Sequence, residues 1–159
     1  MIINRHALLL AAPIKDMMTE KVRGEITSHG MSEAGYDIRI KQEVVFERGQ
    51  RVWVDGVFGN GNFALASTIE EFQMPTDMVG VVHDKSTWAR KGLSVFNTVI
   101  EPGWRGFLTL ELVYHGRDNL RIPAGSGIAQ VLFHNTAETA SYDGKYQNQA
   151  DQPVEAING

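Results

Sequence analysis

The stretch VIEPGWRGFLTLELVY, residues 99–114, carries the two-residue period of an extended chain on both sides of a Pro–Gly pair. After that pair, Leu108, Leu110 and Leu112 fall on one face of a strand, and Thr109, Glu111 and Val113 on the other. Pro102 and Gly103 have the residue chemistry of a tight turn, so a hairpin is expected here. The same period continues outward in both directions. Upstream lie YDIRIKQEVVFE (36–47), QRVWVDGVF (50–58), NFALASTIEEFQMP (62–75) and MVGVVHD (78–84); downstream lies NLRIPAGSGIAQVLFH (119–134). Short apolar runs separated by Gly, Pro, Asn and Asp predict an all-β sandwich or closed barrel, not alternating strands and helices. The first thirty residues differ. RHALLLAA (5–12) reads as helical, and IKDMMTEKV (14–22) places Ile14, Met17, Met18 and Val22 near helical spacing. SHGMSEAG (28–35) ends that pattern.

Bulk properties narrow the function. The 159 residues fit one domain, and 43% hydrophobic with 21% charged residues is an ordinary globular balance. No apolar run approaches the ~20 residues of a membrane-spanning helix, so no membrane partner is expected. The absence of cysteine agrees with a reducing cytoplasm, the expected location, and removes thiolate zinc sites and cysteine nucleophiles. The five histidines show no metal-ligand spacing, so no protein metal site is expected. A net charge of −4 argues against a nucleic-acid surface. Any anion site must therefore be local.

One local concentration is KSTWARKGL (85–93), where a strand should end at Asp84 and a helix begin near Ser86. Ser86 or Thr87 suits the cap, and Arg90, four residues after Ser86, leaves the same side of the turn. Lys85, Ser86 and Arg90 could converge on a triphosphate, whereas a capped surface helix with solvated cations is the commoner outcome for such a stretch. Glu111 poses the same choice. Strand alternation alone favours a solvent-facing carboxylate; in a dry pocket it would carry a raised pKa and accept a proton from water. Trp104 is read as a core or interface aromatic, and Arg105 as solvated. Asp37 and Arg39 share one strand face and are expected to pair. The tail from Thr136, containing YDGKYQNQ (142–149), is either disordered or an arm that orders over a ligand or a neighbouring subunit.

In chain order, MIINRHALL, AGYDIRI, KSTWARKGL, VIEPGWRGFLTLEL and GKYQNQ resemble five motifs of the deoxycytidine triphosphate deaminase branch of the trimeric dUTPase-like superfamily. These are the opening segment, first strand motif, phosphate-binding motif, catalytic hairpin and closing tail. The resemblance implies a mainly β fold, a distorted β-barrel or jelly-roll with a short N-terminal helical segment, assembled as a homotrimer with sites between subunits. It implies a β domain over 1–135 and a C-terminal tail or active-site lid over 136–159 within that domain. It also implies chemistry: zinc-independent hydrolysis of dCTP to dUTP and ammonia. Glu111 stands at the position of the catalytic glutamate, and Ser86 and Arg90 match positions that hold phosphates and order the catalytic water. Lys85 and Thr87 stand where the family usually has arginine and serine, keeping charge and hydroxyl. Asn97, Thr98, Val99 and Glu101 fall in the substrate-binding stretch, and Tyr142, Lys145 and Gln149 would close over the triphosphate. Mg²⁺ is implied as a counter-ion held mainly by the nucleotide.

Three positions depart from that pattern. The family commonly has aspartate at Glu101 and a small residue at Asn97; Val99 stands where monofunctional deaminases often carry arginine. An apolar residue at 99 and an acid at 101 resemble dUTP diphosphatases and bifunctional members. A dUTP diphosphatase, a bifunctional enzyme and a non-catalytic trimeric nucleotide-binding protein are therefore the alternatives.

Overall fold

The computed structural model describes residues 1–159. Its elements, in order, are helix α1 (Arg5–Ala11), strands β1 (Lys21–Val22), β2 (His29–Met31), β3 (Tyr36–Arg39), β4 (Val44–Glu47), β5 (Arg51–Val54), β6 (Val57–Asn60), β7 (Phe63–Gln73) and β8 (Met78–Asp84). Helix α2 (Ser86–Ala89) follows, then β9 (Leu93–Val95), β10 (Val99–Ile100), β11 (Arg105–Tyr114), β12 (Leu120–Ile122) and β13 (Gly127–Asn135). The mainly β architecture expected from the period of two is what forms.

The strands make three sheets. The largest runs β1-β2-β3-β13-β8-β10, a second runs β7-β11-β9, and a third runs β12-β4-β5-β6. Every pairing is antiparallel, which lets one face of each sheet turn inward. The inward residues merge into one core containing Ile38, Phe46, Leu110, Leu112, Val131 and Phe133. Leu110 and Leu112 are 1% and 0% exposed; burying each side chain contributes roughly 2 kcal/mol.

Two local expectations fail. Residues 14–22 are not helical. Ile14 bridges Phe72 in extended backbone, Lys15 N–H donates to Glu71 O, and Gln73 N–H donates to Pro13 O. Residues 13–15 therefore lie alongside β7, while Lys21 and Val22 pair with β2, and these tertiary hydrogen bonds override the helical spacing. The second correction concerns the Pro102–Gly103 turn, which does not close a hairpin. β10 pairs with β8, whereas β11 pairs with β7 and β9, so the turn carries the chain from one sheet to another. The turn itself forms, with Trp104 N–H donating to Glu101 O. What sequence does not carry is the partner each strand chooses.

Candidate active site

Strand β11 sets the site. It crosses β7 in a register that jumps between Phe107 and Thr109: Phe107 opposes Glu71, but Thr109 opposes Ser67. The unmatched residues of β7 form a bulge, which Thr68 holds by accepting from Leu108 N–H and donating to Glu70 O. Glu70, set into the sheet by this kink, receives Arg39 Nε at 2.8 Å. The bulge breaks strict alternation, so Leu108 lines the same cavity as Thr109 and Glu111. That departs from the expected division of faces.

The cavity has a volume of about 510 Å³. β11 supplies Leu108, Thr109 and Glu111; the stretch around β10 supplies Thr98, Val99, Ile100 and Glu101; Phe63 and Leu65 come from the start of β7. Burial among these groups pushes the Glu111 carboxyl above the usual glutamate range, partly offset by its own backbone N–H. Glu111 is thus half-buried on the cavity wall and not the fully solvent-facing carboxylate that strand alternation alone favours.

The far wall is the tail. Tyr142, Tyr146, Gln149, Val154 and Ala156 line the cavity. The segment is ordered on its own chain, by contacts that its sequence pattern does not reveal. Trp104 Nε1 donates to Tyr146 O at 2.6 Å, and Gln147 Nε2 donates to Gly103 O at 3.0 Å. Gln149 Nε2 donates to Phe107 O at 2.9 Å and to Thr109 Oγ1 at 2.7 Å. Close approach needs glycine: a Cβ on Gly106, whose φ is +132°, would lie 2.5 Å from Gln149 N.

The remaining predicted residues lie elsewhere. Lys85, Ser86, Thr87, Arg90, Asn97 and Lys145 do not line this cavity. α2 begins with Lys85 as its N-cap residue and no side-chain cap, so neither Ser86 nor Thr87 caps it. Both hydroxyls and Arg90 are exposed. Trp88 anchors the turn instead, 1% exposed and donating to Gly127 O at 2.7 Å. The Lys85 ammonium is already engaged, 2.6 Å from Asp37 Oδ2, where the two side chains are 14% and 4% exposed. Asp37 and Arg39 thus have separate partners, Lys85 and Glu70, and do not pair with each other. Lys145 donates to Ile157 O within the tail.

Several lining residues were not singled out from the sequence. Thr109 shares the face of Glu111, so the period of two could have found it. Leu108 required knowledge of the bulge, and Val154 and Ala156 lie in an aperiodic tail with no signal. A separate cavity of about 450 Å³, lined by Arg48, Arg51, His115 and Arg117, holds none of the predicted residues. No group of three or more His, Asp or Glu side chains comes together to hold a metal ion. No helix is long and apolar enough to cross a membrane.

The sequence model of the dCTP deaminase-like family matches residues 55–136. A dCTP deaminase of Roseiflexus castenholzii is 37% identical over 158 residues, covering 86% of each chain. One from Nautilia profundicola is 35% identical over 152 residues, covering 82% of each. Among solved structures, native EIAV dUTPase superposes with a TM-score of 0.54 at 18% identity, over 85% of this chain and 92% of that one. The dUTPase from phage phi11 of S. aureus gives 0.53 at 16% identity, over 82% and 91%. The structural likenesses are likenesses of fold.

Proposed function

The chain belongs to the dCTP deaminase-like family, and we propose that it catalyses zinc-independent hydrolytic deamination of dCTP to dUTP and ammonia. The observation that carries this reading is Glu111, a carboxylate with a raised pKa on the wall of a cavity with ample room for a pyrimidine base. Ionised, it takes a proton from water as the water oxygen attacks C4 of the pyrimidine. It passes that proton to N4, the C4–N4 bond breaks, and ammonia leaves. C4 retains the oxygen as a carbonyl, and the second water proton ends on N3. The sequence lacks the cysteines of the His/Cys/Cys zinc deaminases, so the carboxylate is the available activator.

Ser86 and Arg90 hold the phosphates and order the water, with Thr87 and Lys85 beside them. Since these residues do not line their own chain's cavity, the complete site forms between subunits of a homotrimer. Supporting this are the apolar side chains Phe63, Phe96 and Val99, which remain 46%, 49% and 51% exposed around the cavity in the single chain. Asn97, Thr98 and Val99 contribute to the nucleotide-binding wall. Residues 136–159 act as a lid on the 1–135 domain, with Tyr142, Lys145 and Gln149 closing over the nucleotide. Mg²⁺ accompanies the triphosphate, held mainly by the oxygens of the nucleotide itself. Its positive charge would offset that of the phosphates.

A second activity, conversion of dUTP to dUMP and pyrophosphate, is favoured by one feature: Glu101 lines the same cavity as Glu111. Incubating the purified protein with dCTP and with dUTP, and following ammonia and pyrophosphate separately, tests both. Ammonia from dCTP is expected. Pyrophosphate from dUTP would add the second activity, and nucleotide binding with neither product would leave a non-catalytic sensor.

A further inference from the structure

Thr109 is 8% exposed, lines the cavity two residues before Glu111, and takes no part in the mechanism above. Its hydroxyl oxygen accepts two hydrogen bonds, both from the tail: Gln149 Nε2 at 2.7 Å and Val154 N–H at 3.1 Å. A hydroxyl has two acceptor positions and one donor, so the closed tail leaves Thr109 only its proton to give. Gln149 is in the complementary state. Both hydrogens of its carboxamide are used, one on Phe107 O and one on Thr109 Oγ1. Its oxygen takes no protein donor and is not among the sealed, unbonded polar atoms. Closing the tail therefore places a fixed donor beside a fixed acceptor on the wall that carries Glu111.

We propose that Thr109 is a specificity-determining residue whose hydroxyl, paired with the Gln149 carboxamide oxygen, reads the N3–N4 edge of a cytosine base. Cytosine presents an acceptor at N3 and a donor at the N4 amine, the complement of this pair. Uracil presents the reverse, a donor at N3 and an acceptor at O4. Deamination thus converts a matched edge into a doubly mismatched one, which loosens the product where the reaction ends. Without the tail, Thr109 regains acceptor capacity and the discrimination relaxes. Reading the base depends on closure.

The inference rests on the proposed use of cytosine nucleotides, and its test is separable from turnover. Affinities for dCTP and dUTP are measured by calorimetry in Glu111→Gln protein, which binds without turnover, alone and combined with Thr109→Val or Thr109→Ser, with wild-type ammonia release assayed in parallel. Valine keeps the shape and removes the hydroxyl; serine keeps the hydroxyl. Thr109→Val is expected to lower the dCTP preference about tenfold, the effect of one neutral hydrogen bond. Thr109→Ser should retain the preference. Removing residues 149–159 should erase the difference between threonine and valine, because the donor is then no longer fixed. An unchanged preference in Thr109→Val, or the same valine effect after truncation, overturns the assignment. If Glu111→Gln protein prefers dCTP but wild type releases no ammonia, the catalytic reading falls and the base-reading one stands.

Discussion

The Glu111 cavity and the α2 turn carry the polar chemistry of this chain, and they are built in opposite ways. Around Glu111, the carboxylate sits in a mainly apolar cavity under a tail, with Glu101 lining the same cavity, and burial raises the Glu111 pKa. Around α2, Ser86, Thr87 and Arg90 stand exposed on a four-residue turn whose only deep anchors are Trp88 and the Lys85–Asp37 pair. The first region is a concave, mainly apolar pocket. The second is an exposed polar surface on a buried anchor. Within a single chain the two regions stay apart, since none of Lys85, Ser86, Thr87 and Arg90 lines the Glu111 cavity.

Substitution of Glu111 should break the comparison most severely. Glu111→Gln keeps the cavity shape and removes the base, so dCTP turnover should fall by roughly 10²–10⁴-fold. Nucleotide affinity should stay near wild type; comparable turnover would remove Glu111 from the chemistry. Arg90→Ala should cost on the order of 10²-fold in kcat/KM, through loss of a charge that holds phosphate. Mixing these two inactive variants sharpens the contrast further. If cradle and cavity come from different subunits, co-refolded hybrids should regain roughly a quarter of wild-type activity, as random assortment restores some sites. Hybrids without activity would put both halves of the site in one chain.

Truncation after Ala140 should raise KM for dCTP about tenfold with a smaller change in kcat, as expected for a lid that holds substrate. Unchanged steady-state kinetics would make the tail contacts merely structural. The smallest effect concerns pH. Because burial raises the Glu111 pKa, the acid limb of the rate profile should lie above the ordinary glutamate value of 4.5. The same shift means that protonated Glu111 contributes stability fully below that value, and the contribution is lost as pH rises through the raised pKa. The Tm advantage of Glu111→Gln over wild type should therefore grow from acid towards neutral pH.

Much of the site was legible because its residues lie on regular elements. Glu111 and Thr109 share a face by strand period alone, and the break from strand to helix at Asp84–Ser86 is visible as a change of pattern. Leu108 escaped because a bulge in the opposing strand β7 turned it into the cavity. The 14–22 segment misled because its apolar spacing suits a helix, while its backbone bonds to β7 at one end and to β2 at the other. The resemblance marked the tail as a lid carrying Tyr142 and Gln149, but not how it docks: Gln147 and Gln149 bond through side-chain amides to the backbone of Gly103 and Phe107, which leaves no periodic trace.

By itself, the sequence determined that the chain folds as short antiparallel strands, with a carboxylate strand and a cation-bearing turn in fixed order. It could do so because side-chain alternation and turn chemistry are local, set by two or three neighbouring residues. Only the tertiary structure decided which strands pair across the Pro102–Gly103 corner, where Lys85 spends its charge, and what covers Glu111. Those outcomes depend on desolvation and on hydrogen bonds between residues far apart in the chain, which no local pattern encodes.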